Sequence, residues 1–318
     1  MGTHATERLL ASTWPRHDVA PTAELRSAGI DDRLLAKAVR SGLLLRLRHG
    51  AYIPAHRCDA LTPWEREVAR LDAHVEATGG ASVYCLASAA VLHGCSVWNV
   101  GPEIHVATTY AGSRASRSSD TATHQLFLAE HDLTLVERRG RHLKATTLVR
   151  TAADCARTMP FEQAVVMGDS ALQRGLDPRA LRREVEQGSP RGRRRALDVV
   201  DSLEPATESV GETRTRMLLE RLGFEKPHVQ FEVETAAGVY RADFAWPRLM
   251  VIIEFEGEGK YRNHGPASDV LLAERRRETL LMEQGWVFVR LRWADLEKPD
   301  EVRRRIEAAI QTAARRSA

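Results

Sequence analysis

Arg241-Ala-Asp243-Phe-Ala-Trp-Pro247-Arg-Leu-Met-Val-Ile-Ile253-Glu254-Phe255-Glu256-Gly257 decides the reading of the C-terminal part of the chain. It reads as two strands joined by a turn at Pro247 and Arg248, since proline presets a turn dihedral and cannot donate to a strand ladder. Side chains alternate across a strand, so Ile253 and Phe255 face a core while Glu254 and Glu256 share the opposite side. Asp243 lies on the preceding strand. Three carboxylates thus converge where an apolar strand ends, and hard oxygen ligands of this kind suit a divalent cation such as magnesium or manganese. An edge strand with solvated carboxylates and no metal is the alternative. Against it, acids placed together without a cation raise one another's pKa.

The surrounding elements follow a regular order over residues 206–318. Glu212-Thr-Arg-Thr-Arg216 opens an amphipathic helix that Gly223 stops. Val229 to Val233, Val239 to Ala245 and Leu249 to Glu256 read as strands. A loop containing Lys260 follows, then a helix over 269–284, a stop at Gly285, a buried strand from Trp286 to Trp293 and a last helix over 299–315. The order is αβββαβα, a sheet with helices packed on it.

Residues 209–293 and a little beyond resemble the PD-(D/E)XK nuclease superfamily, in particular the small domains related to the very-short-patch mismatch repair endonuclease. The resemblance rests on Glu212, Asp243-Phe-Ala-Trp-Pro247, Glu254-Phe-Glu256-Gly257, Lys260-Tyr261, Glu274-Arg-Arg-Arg-Glu278 and Gly285-Trp-Val-Phe-Val-Arg290. It implies a metal-dependent endonuclease, with Asp243 as the central ligand, Glu254 as the acidic residue of the (D/E)XK element and Glu212 as a direct or supporting ligand. Magnesium or manganese is the implied cofactor, and hydrolysis of DNA phosphodiesters the implied reaction. The superfamily lysine falls at Glu256. That leaves open both the general base and whether the domain is catalytic. Lys260 or Arg276 would supply the missing positive charge, and Arg275 with Arg276 would hold flanking phosphates.

Residues 1–57 read as two short helices and a hairpin. Thr22 is placed to cap a helix over 23–27 ended by Gly29, and Asp31 or Asp32 to cap a second, Arg33 to Arg40, ended by Gly42. Leu34, Leu35 and Val39 form the apolar face of the second helix; Arg33, Lys37 and Arg40 lie on the other side. Leu43-Leu-Leu-Arg46-Leu-Arg48-His-Gly50-Ala-Tyr52-Ile53 alternates apolar and basic residues and turns at His49-Gly50. Helix, helix, hairpin is the order of a winged helix-turn-helix. Its second helix is expected in the major groove of DNA, with Arg46 and Arg48 on phosphates. The segment also resembles the N-terminal domain of AbiEi-type antitoxins and regulators, through Gly29-Ile-Asp-Asp-Arg-Leu-Leu, Val39-Arg-Ser-Gly-Leu-Leu and Arg46-Leu-Arg-His-Gly-Ala-Tyr52. DNA and a cognate toxin or other defence protein are the partners this implies.

Residues 62–186 are expected to form a mixed α/β domain, and its order is similar to that of the same proteins. Pro63 starts a helix; Ala81 to His93 reads as another; Glu103-Ile-His-Val-Ala reads as a strand; residues 112–120 form a polar loop. Residues 147–158 and 161–174 read as two helices. His93 has no nucleophile or metal partner near it in sequence, so it is expected to donate to a backbone carbonyl at a helix end. Residues 187–205, with Arg191 to Arg195, read as an arginine-rich linker.

The 318 residues suggest two or three domains, and 43% hydrophobic with 28% charged residues predicts a globular chain of α/β class with several domains. The net charge of +3 does not by itself point to nucleic acid; the clustering of arginines says more. No stretch approaches the roughly 20 apolar residues of a membrane span, and the N-terminus lacks a signal-peptide core. A cytoplasmic location follows as an expectation. Cys58, Cys85, Cys95 and Cys155 are scattered, so reduced thiols are expected. No phosphate loop, serine-hydrolase elbow or zinc-protease helix is present. A homodimer stays open, with no heptad arguing for it. Two functions stand side by side: a metal-dependent DNA endonuclease, and a non-catalytic regulator or antitoxin whose nuclease-like domain is structural.

Overall fold

The computed structural model describes residues 3–108, 120–257, 276 and 278–316. Lys260, Arg275 and most of the expected polar loop at 112–120 lie outside the described residues. The chain divides into two compact units, Met1–Ser202 and Leu203–Ala318. Both mix helices with β-sheet. No helix among the described residues is long and apolar enough to cross a membrane.

The first unit opens with α1 (Thr3–Thr13), β1 (Ala20–Pro21), α2 (Thr22–Ser27), α3 (Asp32–Arg40), β2 (Leu44–Arg48), β3 (Ala51–Pro54) and α4 (Ala55–Ala60). The strands form an antiparallel sheet in the order β1-β3-β2. Asp31 caps α3 by accepting the Leu34 N–H at 2.7 Å, which satisfies one of the donors a helix start leaves unpaired. Leu35 and Ala38 of α3 bury against Leu10, Trp14, Leu25, Ile30 and Leu44. Each large aliphatic side chain so buried contributes about 1.5–3 kcal/mol. Thr22 does not cap a helix. Its backbone N–H and hydroxyl both donate to Gly50 O, at 2.8 and 3.3 Å, and tie α2 to the hairpin turn.

The unit continues with α5 (Pro63–Thr78), β4 (Val83–Tyr84), α6 (Leu86–Leu92), β5 (Ile104–Thr108), β6 (Thr121–Gln125), β7 (Leu133–Arg138), β8 (Arg141–Thr146), α7 (Leu148–Thr158), α8 (Phe161–Gln173), α9 (Pro178–Gln187) and α10 (Arg193–Asp201). The five strands form a mixed sheet ordered β6-β5-β4-β8-β7. The helix expected from Ala81 begins only at Leu86, because Val83 and Tyr84 pair with both β5 and β8. The segment expected as an arginine-rich linker holds α10. Ala196, Val199 and Val200 of α10 are buried, so part of residues 187–205 packs as a helix.

The second unit carries α11 (Val210–Arg221), β9 (His228–Thr235), β10 (Gly238–Trp246), β11 (Val251–Phe255), helical residues 276 and 278–283, β12 (Val287–Leu291), a short helix Trp293–Leu296 and a terminal helix Pro299–Arg316. Strand order is β12-β11-β10-β9, with β11 and β12 parallel and the other pairs antiparallel. Leu218, Leu219, Val302 and Ile306 from the helices bury against Ile253, Phe255, Val289 and Leu291 on one face. Leu281, Ile252 and Trp286 cluster separately. Gly211 lets α11 approach the sheet: a Cβ there would stand 1.9 Å from the Phe255 ring.

One local break organises this sheet. Period-two alternation would keep Val229, Phe231 and Val233 on one face. Instead Phe231 and Val233 pack in one core and Val229 against the other. Tyr240 and Ala242 likewise part from Phe244 and Trp246. Between them Gln230 has φ +51°, a left-handed conformation costing a non-glycine residue of order 1–3 kcal/mol. The pairs Ala242 with Phe231 and Phe244 with Val229 bracket it. Both strands change face at Gln230 and Asp243.

Candidate nucleic-acid interface and carboxylate cluster

In the first unit, Arg33 and Arg40 of α3 and Arg46 of β2 are exposed, and Lys37 is half-buried. A cleft of about 430 Å³ separates α3 from the β2–β3 hairpin, and Arg26, Asp32, Arg40, Arg46, His49 and Tyr52 are among its lining residues. Arg40 and Arg46 thus bring positive charge to the cleft from two elements. Arg26 and Tyr52 are additions that helix and strand periodicity did not single out. Tyr52 is the cross-strand partner of Arg46, and Arg26 grips Asp32 through two bonds of 3.0 and 2.6 Å. That pair raises the arginine's proton affinity and lowers the aspartate's.

Arg48 does not join them. The register shifts between Arg46 and Arg48, with one residue of β3 advanced against two of β2. Such a bulge re-aims side chains that plain alternation would place together. Arg48 is mostly buried and its Nε lies 3.2 Å from Asp120 Oδ2. It stands near His74, whose pKa falls to about 4, chiefly through burial and further through the Arg48 charge. His74 Nδ1 meets the Tyr84 hydroxyl at 3.0 Å. His93 donates Nε2–H to Thr146 O at 2.7 Å, as its helix-end position suggested.

In the second unit, Asp243 and Glu254 come together at the end of the β10–β11 ladder. The backbone pairing runs from Trp246–Val251 to Phe244–Ile253. One step further the carboxylates take over. Asp243 Oδ2 accepts the Phe255 N–H at 2.8 Å, and Glu254 Oε1 accepts the Asp243 N–H at 3.3 Å and the Tyr240 hydroxyl at 2.9 Å. Burial, then the Glu254 charge, pushes the Tyr240 phenol well up.

Glu212, in the first turn of α11, is buried. Its Oε1 accepts the Ser209 hydroxyl at 2.7 Å, and its Oε2 accepts the Glu208 N–H and the Gln230 amide, both at 2.9 Å. Burial first, and the Asp243 charge second, raise its pKa. Glu256 is turned to other work. Arg292 contacts it at 2.7 and 2.8 Å and Arg290 at 3.2 Å. Arg290 is also the cross-strand partner of Glu254 and pairs with Glu278 at 2.6 Å. Arg276 is exposed.

The carboxylates that the nuclease resemblance assigns to a metal are engaged with protein partners here. Both Glu212 oxygens are engaged, Glu256 is neutralised by two arginines, and no group of three His, Cys, Asp or Glu among the described residues is arranged to hold an ion. Sequence reasoning gave no role to Gln230, Tyr240 and Arg292, and quoted Arg290 only within a motif. Folding of the sheet and of α11 brings them to the carboxylates.

Residues 16–55 match the model of a family described as a transcriptional regulator, AbiEi antitoxin. The match spans β1 to β3 and so covers the cationic cleft. No curated protein matches the chain. Among solved structures, the chain is similar to the crystal structure of the RV2827C protein from Mycobacterium tuberculosis, at 16% identity over 73% of this chain and 89% of that one, with a TM-score of 0.40.

Proposed function

We propose that this protein is a DNA-binding transcriptional regulator of the antitoxin type, contacting duplex DNA through α3 and the β2–β3 hairpin as a winged helix does. The observation that carries this reading is that the segment similar to AbiEi regulators is also the one presenting Arg40 and Arg46 on a cleft, with Arg33 exposed on the same helix as Arg40. The helix would read base edges while the arginines neutralise phosphates. An antitoxin role implies a toxin as second partner.

The test starts from duplexes selected by this protein from a random library. Arg40→Ala with Arg46→Ala should weaken binding and reduce the salt slope by about 2, near 0.9 for each phosphate no longer neutralised. Unchanged affinity and slope would remove this face as the DNA-binding surface.

A second reading, an endonuclease in the second unit, draws on the convergence of Asp243 and Glu254 and on the Asp243 charge felt by Glu212. Supercoiled plasmid with magnesium or manganese decides it: cutting by the native chain that Asp243→Ala abolishes would establish the enzyme. Intact plasmid with DNA still bound would leave the regulator alone.

A further inference from the structure

Two imidazoles face each other in the five-stranded sheet of the first unit, and neither the cationic cleft nor the carboxylate cluster uses them. His105 on β5 and His124 on β6 lie on adjacent parallel strands, with His105 paired to Ala122 and Ala107 to His124. His105 Nδ1 is 2.8 Å from His124 Nε2, and the rings are tilted by 31° with centroids 5.1 Å apart. We propose that His105 Nδ1 and His124 Nε2 form a binding site for a borderline transition-metal dication: Zn²⁺, Ni²⁺ or Cu²⁺.

Imidazole nitrogen is a natural ligand for these ions, whereas magnesium prefers oxygen. Two metal–nitrogen bonds of about 2.0–2.1 Å at a tetrahedral angle place the nitrogens about 3.3 Å apart. The rings therefore need to open by only about half an ångström. Strand β5 holds its side of the site firmly. The His105 N–H donates to Ser88 Oγ at 2.8 Å, and its carbonyl accepts the Cys85 N–H at 3.1 Å.

Carboxylates stand near both rings. Burial lowers the pKa of both rings and His124 lowers that of His105 further, while Glu103 acts on His105 and Asp154 on His124 in the opposite sense. The neutral imidazole is the form that ligates a metal. In the apo pair one ring donates N–H to the other. Metal binding requires the donor to carry its hydrogen on the other ring nitrogen, an exchange through solvent that releases no net proton. No third protein ligand completes a set of three among the described residues, so water would fill the remaining positions. This proposal is independent of the DNA-binding reading.

The experiment titrates the tag-free full chain with Cu²⁺ and records electron paramagnetic resonance, with Zn²⁺ followed by thermal shift. One copper per chain with nitrogen hyperfine structure from two imidazoles is expected. His105→Ala or His124→Ala should each weaken binding about tenfold or more, equal to about 1.4 kcal/mol, and abolish the Zn²⁺-induced rise in Tm. His105→Gln, which keeps a polar side chain, serves if the alanine variant fails to fold. His142→Ala, at an exposed histidine outside the pair, should leave the signal intact. A spectrum with oxygen ligands only, absence of saturable binding, or binding undiminished in both histidine variants would overturn the site.

Discussion

Asp243 holds the backbone of Phe255: its Oδ2 accepts the Phe255 N–H at 2.8 Å, across two strands whose own ladder has just ended. A carboxylate here does the work of a main-chain carbonyl. Asp243→Ala leaves a buried N–H without that acceptor and should destabilise the second unit by about 1–3 kcal/mol. Asp243→Asn keeps an acceptor oxygen and should cost clearly less. Equal losses in chemical denaturation would show that the bond is not what matters.

The Glu212 carboxyl is held above the ordinary carboxylate range by burial and then by Asp243. The native state therefore binds this proton more tightly than the unfolded chain does. The resulting stabilisation is complete below the unfolded pKa of about 4.3 and is lost as pH rises through the higher folded value. Glu212→Gln should flatten that decline. Its amide oxygen can accept from Glu208 and Gln230 while its NH₂ donates to Ser209 Oγ. Urea midpoints across this pH range check it, and an unaltered slope in the variant would assign the decline elsewhere.

Gly211→Ala forces a methyl group into the Phe255 ring. Overpacking of this kind costs about 1–3 kcal/mol. Phe255→Leu in the same chain should recover part of the loss, so the two changes should be strongly non-additive in Tm. Additive losses would mean that α11 relaxes away from the sheet without strain.

Arg46 and Arg48 should separate by phenotype. Arg46→Ala should lower DNA affinity with little change in stability. Arg48→Ala breaks a sheltered pair with Asp120 and should cost about 1–2 kcal/mol of stability. Fluorescence anisotropy beside thermal unfolding resolves the two, and a DNA defect in Arg48→Ala without loss of stability would contradict the placement of Arg48.

Period-two reasoning located Ile253 and Phe255 in the core and set Glu254 and Glu256 on the other side, and the Asp31 cap was legible as one of two candidates. The arrangement around those residues was not. A left-handed residue such as Gln230 has no periodic signature, and the bulge after Arg46 is a property of two paired strands. Arg290 and Arg292 reach Glu256 only through the parallel alignment of β11 and β12, whose partners are more than thirty positions apart. The arginine run at 191–195 suggested solvent; Ala196, Val199 and Val200 beyond it supply the apolar stripe that makes α10 a core helix.

The face switch at Gln230 also bears on solubility. Strand β9 ends the order of its sheet, and a free strand edge is a template for unwanted pairing with another chain. Here the edge is bent partway along by Gln230 and carries exposed Glu232 and Glu234 beyond the bend. An incoming strand would find neither a long straight ladder nor a neutral flank. Among the described residues, the bend at Gln230 and these two carboxylates thus work against edge-to-edge pairing along β9.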